Sequence, residues 1–226
     1  MKLMFWNLKY FGLTSANYRE RVVDLAERLD RHKPDIAVFV ELTANADAVL
    51  EAVKGELKET SFLSKAVNAG GGNNEHFAVL LSPQFGQGAE DGLEVLGDVP
   101  LGGGTRKIAH LSIGRLEPVN AFGLFICHPS PCALTFNTAL KDAGSFIQSR
   151  GGRRSIMVGD FNSDLWDTFE ASNAYTDAAT HLGASGTLRV IDGAVFDAMD
   201  VSVDWSQRTT SSSAKSDHAY ILFNVA

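Results

Sequence analysis

The chain has 226 residues, 45% of them apolar and 21% charged, with a formal net charge of −7. That length suits one domain with a sizeable core, here residues 1–226 as a single unit, and the composition excludes disordered and membrane-spanning classes, because no stretch approaches the roughly 20 apolar residues of a span. The acidic balance excludes a broad basic grip on duplex nucleic acid, so any such contact is expected to be local, brief or metal-assisted.

Lys2 to Trp6 reads as a first strand. Its apolar run is too short for a signal-peptide core and no small-residue cleavage site follows, which points to the cytoplasm. Ser15 to Arg31 reads as a helix, with Val22, Leu25, Ala26 and Leu29 at helical spacing behind a Thr14-Ser15 capping signal; Pro34 bounds it. "DIAVFVEL" is a continuous apolar strand ending at Glu41, and Ala46 to Leu57 is a second helix. After the loop "NAGGGNN" comes the strand "EHFAVLLS". "KIAHLSI" and "AFGLFICH" are two further strands joined around Glu117-Pro118, Phe136 to Arg150 is a helix, and "SIMV" is a strand that stops at Gly159-Asp160-Phe161-Asn162 in a tight turn. "TLRVIDGAVF" is one more strand, "DWSQRTTSSSAKSD" a polar loop, and "SDHAYILFNV" closes the chain. Cys127 and Cys132 are too few for a disulfide framework and too isolated for a zinc site, so both read as structural thiols.

Two stretches repeat a plan of strand, helix and strand: "KLMFWN" to "DIAVFVE", and "FGLFICH" to "SIMVGDFN". In both, polar side chains appear where an apolar strand runs out. Ligands of α/β sheets sit at the carboxyl ends of strands, so Asn7, Glu41, His128, Asp160 and Asn162 are expected to share one edge.

With these residues laid out, the chain resembles the endonuclease/exonuclease/phosphatase superfamily, and within it the deoxyribonuclease I-like branch. The matching stretches run in family order: "FWNL", "VFVEL", "NEHFAVLLS", "TRKIAHL", "CHPSP", "MVGDFNS", "RVID" and "SDHAYI". The resemblance implies an α/β fold, a four-layer αββα sandwich of two packed, mostly antiparallel sheets flanked by helices, with the site at one end. It implies a Mg²⁺-dependent phosphodiester hydrolase, most readily a nuclease acting on DNA rather than RNA, with Mn²⁺ as an alternative ion. A phosphatase or phospholipase acting on a lipid, inositol or small-molecule phosphoester is the rival, and a non-catalytic binding module the third reading.

The resemblance also distributes roles. Glu41, Asn7 and Asp217 would hold the metal, because Mg²⁺ prefers a few carboxylate and amide oxygens. Asp160 would orient or deprotonate the attacking water, and Asn162 would hold water or phosphate without adding charge. His218, paired with Asp192, would face the phosphate oxygens as an imidazolium. His128, paired with Glu75, would protonate the leaving oxygen. Arg106 would contact phosphate. Independently of the resemblance, Lys9, Arg150, Arg153 and Arg154 are expected to form a local basic rim near the site.

Overall fold

The computed structural model describes residues 1–71, 74–86, 93–96, 107–113, 121–129, 136–150, 153–163, 166, 172–176, 179–183, 185–206 and 216–226. Arg106, Cys132 and the Glu117-Pro118 connection lie outside these residues.

The chain folds into two six-stranded sheets. The first runs in the order β13 (Val201–Ser206), β14 (Ile221–Val225), β1 (Lys2–Phe11), β2 (Ile36–Leu42), β4 (Glu75–Leu81), β3 (Leu63–Gly70). The second runs β5 (Glu94–Val95), β6 (Ala109–Ile113), β7 (Phe122–Cys127), β8 (Ser155–Asp160), β12 (Asp192–Asp197), β9 (Asn173–Ala174), and a separate hairpin pairs β10 (His181–Leu182) with β11 (Leu188–Arg189). Within each large sheet one pair is parallel, β1 with β2 and β7 with β8, and the other pairs are antiparallel. Helix α1 (Tyr18–His32) makes the first parallel crossover and α4 (Phe136–Gln148) the second, as the repeated plan requires. Helix α2 (Ala46–Glu56) lies beside α1, and the short α3 (Pro83–Gly86) follows β4.

Period-two alternation in the strands builds three apolar layers. Leu3, Phe5, Val38, Val40, Leu124, Ile126, Ile156 and Val158 face the space between the sheets. Met4, Trp6, Ala37 and Phe39 face outward to Leu25 and Leu29 of α1 and Val49 and Val53 of α2. Phe125 and Met157 face Leu140, Ala143 and Ile147 of α4. The result is the expected four-layer sandwich.

Several local expectations are corrected. Helix α1 begins at Tyr18, because Asn17 is left-handed at φ 56 and the Ser15 hydroxyl is occupied by Gly12 N–H and Tyr10 C=O. Strand β3 has no clean alternation in "LSKAVNAG" and is found only through its pairing with β4. Asp204, Trp205 and Ser206, read as part of a polar loop, belong to β13 on the sheet edge, where β14 fixes their register despite a bulge. "TLRVIDGAVF" is two strands, β11 and β12, interrupted at Val190 and Ile191.

Gly159 is a strand residue, and the turn comes at Asn162, which is left-handed at φ 53. Gly159 is there for space: it pairs across β7 with Cys127, and a Cβ would sit 2.3 Å from the Cys127 carbonyl oxygen. Backbone cannot step aside as a side chain can. Gly159→Ala is therefore expected to destabilise the fold by about 1–3 kcal/mol, readable as a lower urea midpoint with an unchanged slope. An unchanged midpoint would show that the β7–β8 contact has room for a methyl group.

Candidate active site

The inward-facing stripes of both sheets end in polar residues at the same end of the sandwich. On β1 the inward series Leu3, Phe5 continues to Asn7; on β8 the series Ile156, Val158 continues to Asp160. Continuing past Leu124 and Ile126 on β7 leads to His128, and reading backward from Val79 and Phe77 on β4 leads to Glu75. Asp192 opens β12 directly opposite Asp160 in register. The site is thus the last layer of the inter-sheet core, with its apolar side chains replaced by ionisable ones.

Glu41 needs a distortion to join this layer. Val40 faces the inter-sheet core and Leu42 the helix side, so Glu41 is one residue too many for strict alternation. The backbone absorbs it as a bulge, with Glu41 left-handed at φ 59 and register breaks in both neighbouring pairings. Its N–H then donates to Glu75 Oε1 at 3.1 Å. Left-handed, non-glycine residues held this way are stored strain, which clusters where side chains must be aimed. Lys9 and Tyr10 form a second such kink, at φ 48 and 50, which brings Lys9 Nζ within 2.7 Å of Asp217 Oδ2.

Two carboxylate–imidazole pairs flank a central Asp160. His128 Nδ1 donates to Glu75 Oε1 at 2.7 Å, and its Nε2 lies 3.5 Å from both Glu41 Oε1 and Asp160 Oδ2. His218 Nδ1 donates to Asp192 Oδ2 at 3.0 Å, and its Nε2 lies 3.6 Å from Asp160 Oδ2. Asn7 Nδ2 donates to Asp160 Oδ2 at 3.0 Å and to Glu41 Oε1 at 3.2 Å, and Asp160 Oδ1 accepts the Asn162 backbone N–H at 2.8 Å. All of these side chains are buried.

Charge follows from this packing. Burial alone would lower His218, but the charge and hydrogen bond of Asp192, with Asp160 and Asp217 nearby, push it up to about 9. Burial raises Asp192 to about 6 against the pull of His218, so near neutral pH the pair is carboxylate and imidazolium. Burial would also raise Asp160, yet His128 and His218 hold it below its ordinary value. Glu41 is raised, chiefly by burial, with Glu75 and Asp160 adding repulsion that His128 only partly offsets.

The ionisable side chains form groups of donors of the kind a divalent cation takes. Glu41 is a buried carboxylate raised by its surroundings, and Asp217 Oδ1 is buried with no hydrogen-bond partner among the described residues. Asn7 Oδ1 accepts Lys9 N–H at 2.9 Å on one lone pair and retains another. Glu41 clusters with His128 and Asp160, while Asp217 clusters with His181 and His218.

The structure thus brings together Asn7, Glu41, Glu75, His128, Asp160, Asp192 and His218, with Asp217 and Asn162 at the margin. Asn162 Nδ2 donates to the Pro129 carbonyl at 2.9 Å, which fastens the segment after His128. The expected basic rim is corrected. Arg153 and Arg154 precede β8, roughly 20 Å of extended chain from Asp160, and Arg150 lies over the Phe125 and Phe146 rings. Among the described residues, cations that touch site residues are Lys9 and Arg189, the latter donating to the Asn162 carbonyl at 3.2 Å. Sequence reasoning missed Arg189 and His181. His181 stands in a strand of two residues, too short for a periodic signal.

Solved structures share this architecture. An endonuclease/exonuclease/phosphatase family protein from Leptotrichia buccalis superposes with a TM-score of 0.69 at 18% identity, over 100% of this chain and 99% of that one. Truncated TDP2 from Caenorhabditis elegans gives 0.66 at 16% identity over 98% and 96%, and a mannosyl-6-phosphatase from Bacteroides thetaiotaomicron gives 0.64 at 14% over 100% and 99%. No family model matches the sequence, and no curated protein does. At these identities the likeness establishes the fold.

Proposed function

We propose that this chain, which carries the fold of the endonuclease/exonuclease/phosphatase proteins, is a phosphodiester hydrolase dependent on a divalent cation of the Mg²⁺ class, acting as one domain with DNA as its first substrate. The observation that carries the reading is Asp160 set between two oppositely backed imidazoles, His128 on Glu75 and His218 on Asp192. Hydrolysis adds water to phosphorus and breaks the bond to the leaving oxygen. It needs one group to take a proton, one to return it and a positive pole on the phosphoryl oxygens.

Asp160, held ionised and aimed by Asn7 and the Asn162 N–H, takes the proton from water. His128 passes one from Nε2 to the departing oxygen while Glu75 fixes its ring. His218, held as an imidazolium, steadies the phosphoryl oxygens. Glu41, Asn7 and Asp217 would hold the cation, which when bound polarises the phosphoryl group. Arg106 would contact phosphate, as the family resemblance implies.

A phosphatase or phospholipase on a small or lipid phosphoester is the second reading. One observation favours it: the arginines expected to form a nucleic-acid rim lie elsewhere, on a chain of net charge −7. The likeness to a mannosyl-6-phosphatase points the same way. No described helix is long and apolar enough to cross a membrane. A binding module without chemistry would have no use for two backed imidazoles around one carboxylate.

The test is plasmid nicking in parallel with phosphate release from a panel of phosphoesters, after chelation and after return of Mg²⁺ or Mn²⁺. Nicking that chelation abolishes and metal restores is expected. Metal-dependent phosphate release without nicking would move the function to the second reading, and silence in both assays would end the hydrolase reading.

A further inference from the structure

A third imidazole stands beside the two that the chemistry uses. His181 packs its ring 4.6 Å from that of His218, centroid to centroid, and directs Nε2 to 3.8 Å from Asp217 Oδ2. His218 Nε2 is 3.9 Å from Asp217 Oδ1, and one ligand atom from each of the three residues falls within 4.8 Å of the others. None of these separations is a hydrogen bond. Lys9 takes Asp217 Oδ2, while Asp217 Oδ1 and His181 Nδ1 are buried with no hydrogen-bond partner among the described residues. His218 stays paired with Asp192 as the imidazolium of the site, so the free donors are those of His181 and Asp217: too far apart to bond one another, yet close enough to share a neighbour, they suit a common cation. Bonds of about 2.0–2.2 Å place adjacent ligands roughly 3 Å apart, which a small closure of this cluster reaches.

The backbone is built to keep His181 there. Leu182 N–H donates to the Asp217 carbonyl at 2.9 Å and Ala219 N–H to the Thr180 carbonyl at 2.7 Å, bracketing a bridge between His181 and His218. The Thr180 hydroxyl accepts the N–H groups of Ile191 and Asp192, at 3.1 and 3.3 Å, so the same hairpin also anchors the start of β12.

We propose that His181 supplies a nitrogen donor to the cation held at Asp217, so that the centre binds Mn²⁺ and similar borderline transition ions more tightly than Mg²⁺ by a margin that His181 sets. The proposal rests on the metal-dependent reading above and names the ion class. Glu41, Asn7 and Asp217 by themselves form an oxygen set, which suits Mg²⁺; imidazole adds little to Mg²⁺ and much to a transition ion.

The experiment is calorimetric titration of Mn²⁺ and of Mg²⁺ into the metal-free full chain without substrate, for wild type, His181→Ala and His181→Asp. In His181→Ala, Mn²⁺ affinity is expected to fall about tenfold or more while Mg²⁺ affinity stays within about twofold. Spin-echo modulation from imidazole nitrogen on bound Mn²⁺ is expected to weaken in the same variant. His181→Asp, which replaces nitrogen by a hard oxygen, is expected to shift the preference toward Mg²⁺ and serves alone if the alanine variant fails to fold. Equal losses for both ions, or unchanged affinities in a folded variant, would overturn the proposal with the metal reading intact. A wild type that binds neither ion would remove both.

Discussion

Asp160→Asn is expected to lower kcat by about 10²–10⁴-fold, the usual contribution of a positioned general base, with far-ultraviolet circular dichroism unchanged. The variant keeps the shape of the side chain and its acceptance of the Asn162 N–H through one oxygen. What it loses is the atom on which the site converges, because Oδ2 receives Asn7 at 3.0 Å and lies 3.5 and 3.6 Å from the Nε2 atoms of His128 and His218. An amide nitrogen there would confront three donors. An amide oxygen there would carry no charge and could not take a proton from water. Single-turnover hydrolysis under saturating metal separates this loss from binding, and a folded Asp160→Asn protein within about tenfold of wild type would exclude Asp160 as the base.

The second large effect is on stability. Asp192 is fully buried and His218 nearly so, and removing one partner of such a pair strands the other charge. Asp192→Ala is expected to destabilise the protein by about 3–5 kcal/mol, and Asp192→Ala/His218→Ala together by less than the two single changes added. The effect depends on pH in a definite direction. His218 titrates at about 9 in the folded chain and near about 6.5 when unfolded. Its contribution is therefore fully present below the unfolded value and is lost as pH rises through the folded one. Wild type should lose stability between those limits, and Asp192→Ala should lose most of that slope. Urea unfolding at several pH values reads both, and parallel wild-type and variant profiles would show that His218 keeps its proton without Asp192.

Much of the fold was legible because long strands carry strong period-two signals. Ile36 to Leu42 is apolar on both sides of the alternation, as a central strand covered on both faces must be, and the crossover helices show their apolar faces plainly. What escaped notice had no local signal. Strand β3 is held by its partner rather than by its own pattern, and β13 looks polar because one face meets solvent. The candidate site was legible in its ionisable residues for a physical reason: carboxylates and histidines that terminate apolar runs are costly to bury and rarely placed there idly. Glu41's bulge was not legible, since nothing in "VFVEL" announces a left-handed residue. Arg150, Arg153 and Arg154 misled because proximity to "MVGDFNS" in sequence is proximity to the wrong end of β8. His181 escaped because its partners, Asp217 and His218, are brought to it only by pairing across a long sequence interval.

The antiparallel pairing of β1 with β14 has a consequence for the life of the chain during its synthesis. Trp6 and Asn7 are made before the partners they need: the Ser216 hydroxyl that donates to the Asn7 carbonyl, and the His218 carbonyl that accepts the Trp6 indole N–H, come more than two hundred residues later. Until His218 is made, Asp160 has only one of its two imidazoles, and until β14 follows, the first sheet lacks the strand that joins β13 to β1. A nascent chain that stops short of Asp217 therefore carries an incomplete site, and the second imidazole arrives with the segment that leads into β14.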